Sequence, residues 1–142
     1  QITCNLVYGY KCPAEDCGKT YVGETKQALK QRLSQHRKPS YGAQYNSAIY
    51  THMCETGHSF TNKDVKILDK EEDWHSRGVK EAIYTRIEKP HLTTKLRHNL
   101  SHAWDPALCT LPCFLSSSNA LQKSSSRDTA EHQQLASAGH LV

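Results

Sequence analysis

No apolar run in this chain approaches the ~20 residues needed to span a bilayer, so a single hydrophobic membrane anchor is excluded within it. No basic stretch followed by an apolar one opens the chain, so no secretory signal is read there. The initial Gln1 in place of methionine is expected of a piece of a longer polypeptide, with any targeting signal upstream. There is no internal repeat. Neither sign of charge dominates: the net charge is +4, a mild lean toward polyanionic partners rather than a basic tail. Nothing argues for an oxidising compartment, which leaves disulfides a poor explanation for six cysteines. Nine histidines accompany them, so metal binding is the better reading for some of those thiols.

What is present is enough for one domain with some excess: 142 residues, 23% charged and 37% hydrophobic, suit a globular protein carrying a polar segment. Residues 3–10 read as a strand, with Cys4, Leu6 and Tyr8 alternating with Asn5, Val7 and Gly9. A turn-rich stretch follows at 13–18, and residues 20–23 read as a second strand antiparallel to the first. Gly23 ends it, and Thr25 is the expected N-cap of a helix over 25–37. Residues 38–46 form a loop marked by Pro39 and Gly42. Ser47 caps a helix running to about Thr56 and ended by Gly57. Val65, Ile67 and Leu68 mark a third short strand. Residues 71–89 are mostly helical, with Gly78 a point of weakness and Val79, Ala82, Ile83 and Ile87 an apolar face.

Pro90 stops that helix, and Leu92, Leu96, Leu100 and Trp104 are available to pack back. Beyond Thr110 the runs Ser116-Ser117-Ser118 and Ser124-Ser125-Ser126 read as a flexible tail. The expected architecture is an α/β (α+β) domain over 1–107, a small central three-stranded antiparallel sheet flanked by helices. A Ser-rich, disordered tail over 108–142 would follow. A domain this small would gain from extra stabilisation.

Two constellations carry chemistry. Leu29 and Leu33 give the first helix a buried stripe, and Arg32 and His36, also four apart, project together beside it. Tyr8 and Tyr21, on adjacent strands and facing one side, would bring two phenols near them. Glu81 flanks the apolar stripe of the long helix. A lone carboxylate at a site edge holds one divalent ion that keeps most of its waters. Arg32 would offset charge on a pentavalent phosphate, and a phenol or His36 would take a proton from water. By spacing alone the same residues also suit a solvated helix face and amphipathic core tyrosines. In the second constellation Cys12 and Cys17 bracket the first turn, and His52 and His58 bracket the end of the second helix. Two thiolates and two imidazoles suit tetrahedral zinc, with Cys54 a rival ligand. Cys4 is read as a sheet residue, and Cys109 and Cys113 as unrelated to the metal site.

The ordered string Val7-Tyr8, Cys12, Cys17, Tyr21-Val22-Gly23-Glu24-Thr25, Arg32, His36, His52, His58 and Lys80-Glu81-Ala82-Ile83, ending at Lys89-Pro90, resembles the GIY-YIG nuclease superfamily. Within it the likeness is to the endonuclease domain of Penelope-like retroelements, over about residues 5–105. Leu6-Val7-Tyr8 stands where the first motif would be and keeps only its tyrosine. Tyr21-Val22-Gly23 matches the second with one conservative change. The resemblance implies active-site tyrosines at Tyr8 and Tyr21, a backbone turn at Gly23, a phosphate-facing cation at Arg32 and proton transfer assisted by His36. It implies that Glu81 binds a catalytic Mg²⁺ or Mn²⁺, and that Cys12, Cys17, His52 and His58 hold a structural Zn²⁺.

The implied activity is metal-dependent DNA endonuclease: phosphodiester hydrolysis that nicks a strand to prime reverse transcription of a retrotransposon. Location would be nuclear. Partners would be DNA and an upstream reverse transcriptase domain in the same polypeptide, with no membrane. The asparagine that the family usually places shortly after the helix-ending proline is replaced here by Leu92-Thr93-Thr94, and Tyr10 replaces an aliphatic residue. These departures leave a second reading open, a zinc-stabilised nucleic-acid-binding module with weak or no catalysis. A protein-interaction domain without polyanion affinity is a third.

Overall fold

The computed structural model describes residues 3–93 and 95–115. Thr94 and the Ser-rich stretch from residue 116 lie outside the described residues.

Three strands form one antiparallel sheet in the order β2-β1-β3: β1 is Leu6–Lys11, β2 is Thr20–Thr25 and β3 is Val65–Lys70. The expected α+β class and three-stranded antiparallel sheet are what the chain adopts. β1 is central and is covered on both faces. Tyr8, Tyr10 and Tyr21 share one face with Cys12, Leu33, Ile49 and Phe60, while Val7 and Val22 pack on the other with Leu115, Leu68 and Tyr84. This follows from the period of two along each strand. The strand begins later than alternation suggests. Asn5 adopts a positive φ of 56°, which breaks the extended run, and Cys4 lies outside the sheet, half-buried.

On the tyrosine face lie α1 (Leu29–His36) and α2 (Ala48–Thr56). Thr25 does not cap α1. It pairs with Leu6 at the end of the β1–β2 ladder, and Ala28, which has no side-chain acceptor, stands at the N-cap position. The first helical N–H, that of Leu29, instead donates to the carbonyl of Thr3 at 2.8 Å. α2 starts and stops on local signals: the Ser47 side chain accepts from the Tyr50 amide, and Gly57 closes it at φ 74°.

The other face is covered by α3 (Trp74–Glu88), whose N-cap Asp73 accepts from the Ser76 amide. Gly78 does not interrupt it. A Cβ there would sit 2.7 Å from His98 and 2.8 Å from the Arg97 guanidinium, so the missing side chain makes room for the returning chain. That return runs along the open edge of β2. The Leu92 amide donates to Thr20 O at 2.9 Å, in a parallel bridge between Tyr21 and Leu92. Leu92 packs into the core as expected, whereas Trp104 is exposed.

A short helix, α4 (Asp105–Leu108), follows, and the packed body continues to Leu115. Glu88 accepts the backbone amides of Phe114 and Leu115 at 2.6 and 3.1 Å, and Leu115 is buried against Val7 and Val22. The boundary expected at residue 107 therefore falls inside a folded segment, with Cys113 against the end of α3. Among the described residues no helix is long and apolar enough to cross a membrane.

Candidate active site and metal centre

The β1–β2 register sets Tyr8 directly opposite Gly23, and Tyr10 opposite Tyr21. Gly23 is a strand position within β2 rather than the turn expected of it, because the ladder continues to Thr25. Its lack of a side chain has another use. A Cβ on Gly23 would meet the hydroxyls of Tyr8 and Tyr21 at 2.9 Å each, and Tyr21 Cε1 at 2.7 Å. Both phenols therefore converge over a hole in the sheet surface. Any side chain there would push them apart.

α1 lies across this pair. His36, in its last turn, is fully buried, and its Nε2 is 2.6 Å from the Tyr8 hydroxyl. The three rings form a cluster, with centroids 6.2 Å apart for Tyr8–Tyr21, 6.0 Å for Tyr8–His36 and 5.5 Å for Tyr21–His36. Burial, then Arg32 and Arg37, push the His36 pKa down to about 3, so the imidazole is neutral at ordinary pH. Its Nδ1 has no hydrogen-bond partner among the described residues. Burial and the neighbouring Tyr21 raise the Tyr8 phenol well above its usual range, and Arg32 opposes that shift. Arg32 is half-buried one turn before His36 and acts on both phenols.

Glu81 arrives from the opposite face of the sheet. It is buried on α3, beside Glu24 at the outer strand β2. Burial and the Glu24 charge raise its pKa to about 7, against the pull of Arg97, the Glu24 backbone amide and Arg32. Arg32 is thus the charged neighbour that Glu81 and the phenols have in common. Tyr8, Tyr21, Arg32 and His36 sit together on one face, and Glu81 lies on the other, linked to them through the charge of Arg32.

Sequence reasoning missed the frame around Glu81. The Glu24 carboxylate lies 2.6 Å from Arg77 Nε and 3.2 Å from Arg97 Nη2. Arg77 is 1% exposed and also donates to the carbonyls of Glu71 and Glu72. Arg97 stacks on the Trp74 ring at 4.3 Å. The signal was present in the spacing: Arg77 and Glu81 are four apart and share the buried face of α3.

The second centre joins the hairpin to α2. The loop between β1 and β2 turns through Asp16 and Gly18, both at positive φ, which returns Cys17 toward Cys12. His52 projects inward from α2, and the left-handed Gly57 turns the chain so that His58 follows it. One ligand atom from each of Cys12, Cys17, His52 and His58 lies within 4.8 Å of all the others. Cys12 Sγ is 3.4 Å from His58 Nδ1, and Cys17 Sγ is 3.6 Å from His52 Nε2. Tetrahedral metal–ligand arms of about 2.0–2.3 Å place neighbouring donors roughly 3.3–3.8 Å apart. The group can therefore hold a metal ion. Cys54 is exposed and is not part of it. Comparison of the chain with protein-family models, with curated proteins and with solved structures finds no match.

Proposed function

We propose that this chain is a metal-dependent DNA endonuclease of a retroelement, acting by hydrolysis to nick one strand. The observation that carries the reading is the buried Tyr8–His36 pair at 2.6 Å, with Tyr21 over the same glycine and Arg32 beside both phenols. A half-buried guanidinium beside proton-handling groups suits a scissile phosphodiester, whose charge grows as water adds. His36 stays neutral, so its Nε2 can accept the Tyr8 O–H hydrogen bond and orient that phenol; its low basicity makes it a positioning group rather than the destination of the water's proton. Arg32 then faces the added negative charge on phosphorus. Glu81 is the group assigned to Mg²⁺ or Mn²⁺, because a buried carboxyl near pH 7 gains its full charge when a cation arrives. Such an ion supplies charge neutralisation at a phosphate oxygen and at the leaving oxygen.

The ion at Cys12, Cys17, His52 and His58 is assigned as structural zinc, since two thiolates with two imidazoles form its preferred donor set. It would tie the hairpin to α2. By the resemblance the target would be nuclear DNA, the nick a primer for reverse transcription, and an upstream reverse transcriptase domain the partner in the same polypeptide.

Relaxation of supercoiled plasmid in Mg²⁺ or Mn²⁺ tests this. Arg32→Ala and Glu81→Ala should each cut nicking at least about a hundredfold, the scale of losing one charge-stabilising group. Full activity in both variants removes the assignment. A second reading, a zinc-stabilised module that binds nucleic acid without cutting, is favoured by Leu92-Thr93 standing where the family places its asparagine. It predicts salt-dependent retention of DNA that stays intact.

A further inference from the structure

A cleft of about 750 Å³ opens beside Tyr21 and Arg32, which line it. Lys38, Tyr41, Tyr45 and Lys95 line it as well, and among the described residues no aspartate or glutamate does. Three cations on a lining that holds no carboxylate make it a polyanion cleft. The N-terminal end of α2, at Ser47 and Ala48, opens into the same space and adds the partial positive charge of a helix start. Tyr41 and Tyr45 are its unusual members. Both residues are exposed, at 107% and 69%. Their loop is held in shape: the Ser40 amide donates to Asn46 Oδ1 at 2.7 Å, and the Tyr45 amide to the Gly42 carbonyl at 2.8 Å.

We propose that this cleft binds unpaired nucleotides, with Tyr41 and Tyr45 as stacking platforms and Lys38 and Lys95 along the phosphates. The inference rests on the nuclease reading and narrows its substrate to DNA with a single-stranded segment next to the scissile phosphate at Arg32. Base faces are available for stacking only when the strand is unpaired, whereas a duplex presents phosphates and groove edges. Bare phenol rings beside isolated lysines match the unpaired form.

Fluorescence anisotropy on the full chain, without divalent ion so that nothing is cut, tests it. The probes are a labelled oligothymidylate of roughly ten nucleotides and a hairpin duplex of similar length. The single strand should bind more tightly at equal salt. Tyr41→Ala with Tyr45→Ala should weaken it about tenfold or more and leave the duplex within about twofold. Lys38→Gln with Lys95→Gln should reduce the single-strand salt slope by about 1.4. Unchanged oligothymidylate affinity in the tyrosine variant, or a wild-type preference for duplex, overturns the proposal. The plasmid assay separates the two readings. Loss of single-strand binding in the tyrosine variant of a chain that never nicks leaves the cleft standing and sinks the nuclease. Nicking that depends on Arg32, with normal binding by the tyrosine variant, does the reverse.

Discussion

The Tyr8 hydroxyl lies 2.6 Å from His36 Nε2, and both residues are fully buried. They are 28 positions apart, one on the central strand and one in the last turn of α1. The contact pairs two buried polar atoms away from water, so it locks helix to sheet while holding two exchangeable protons in one place.

Acid should destabilise the fold through this imidazole. The His36 pKa falls from 6.5 to about 3 on folding. The neutral ring therefore contributes stability that is fully present above pH ~6.5 and lost as pH falls toward ~3. At about 1.4 kcal/mol per unit, roughly 2 kcal/mol is lost by pH ~5. Urea unfolding should show the wild type losing about that much more than His36→Gln between pH ~7 and ~5. Parallel pH profiles would contradict a neutral buried ring.

Gly23→Ala should damage the site while sparing the strand. Its methyl would lie 2.9 Å from both phenol oxygens, so the rings must separate. A stability loss of about 1–3 kcal/mol is expected from overpacking. Nicking should fall by at least about tenfold because Tyr8 leaves its place between His36 and Arg32. A variant that cuts at the wild-type rate would show that the phenols act independently of their spacing.

Metal analysis of the purified chain should find about one zinc per molecule. Cys12→Ser with Cys17→Ser should lose it and melt at lower temperature, because the hairpin loop is then untied from α2. Cys54→Ser should keep both zinc and melting temperature, since that thiol lies outside the cluster. Stoichiometric zinc in the double variant would relocate the site.

The two arginines on Glu24 should differ sharply. Arg77 is 1% exposed and has four acceptors, so Arg77→Ala should cost about 1–3 kcal/mol by leaving part-buried acceptors unpaired. The Arg97 side chain is 26% exposed, and its ion pair with Glu24 should be worth less than about 1 kcal/mol. Chemical denaturation of Arg77→Ala and Arg97→Ala measures both. Equal losses would refute the distinction drawn from burial.

Local signals were readable wherever the chain uses its own neighbours. Ser47 and Gly57 bound α2 as their residue types require, and strand alternation separates Tyr8 and Tyr10 from Val7. Readings failed where a distant segment competed. Thr25 has the chemistry of a cap, yet the ladder with Leu6 claims it, and Thr3 satisfies α1 instead. Gly78 has the propensity of a helix breaker, yet close approach of Arg97 and His98 uses the space it leaves. Leu115 sits beyond the apparent end of the domain and is buried over Gly9, Val7 and Val22, with Glu88 binding its backbone amide.

The sequence by itself determined which groups exist and at what spacing: two strand tyrosines, Arg32 and His36 one turn apart, and two cysteines bracketing a turn. Periodicity acts within one element, so it could carry the argument that far. Only the tertiary structure decided that His36 reaches Tyr8 and that both phenols converge over Gly23. It also decided that Cys12 and Cys17 meet His52 and His58, and that Glu24 is held by Arg77 and Arg97. Those relations depend on burial and on the packing of segments far apart in the chain. Burial, which no residue possesses alone, is also what keeps His36 neutral and raises Glu81 to about 7.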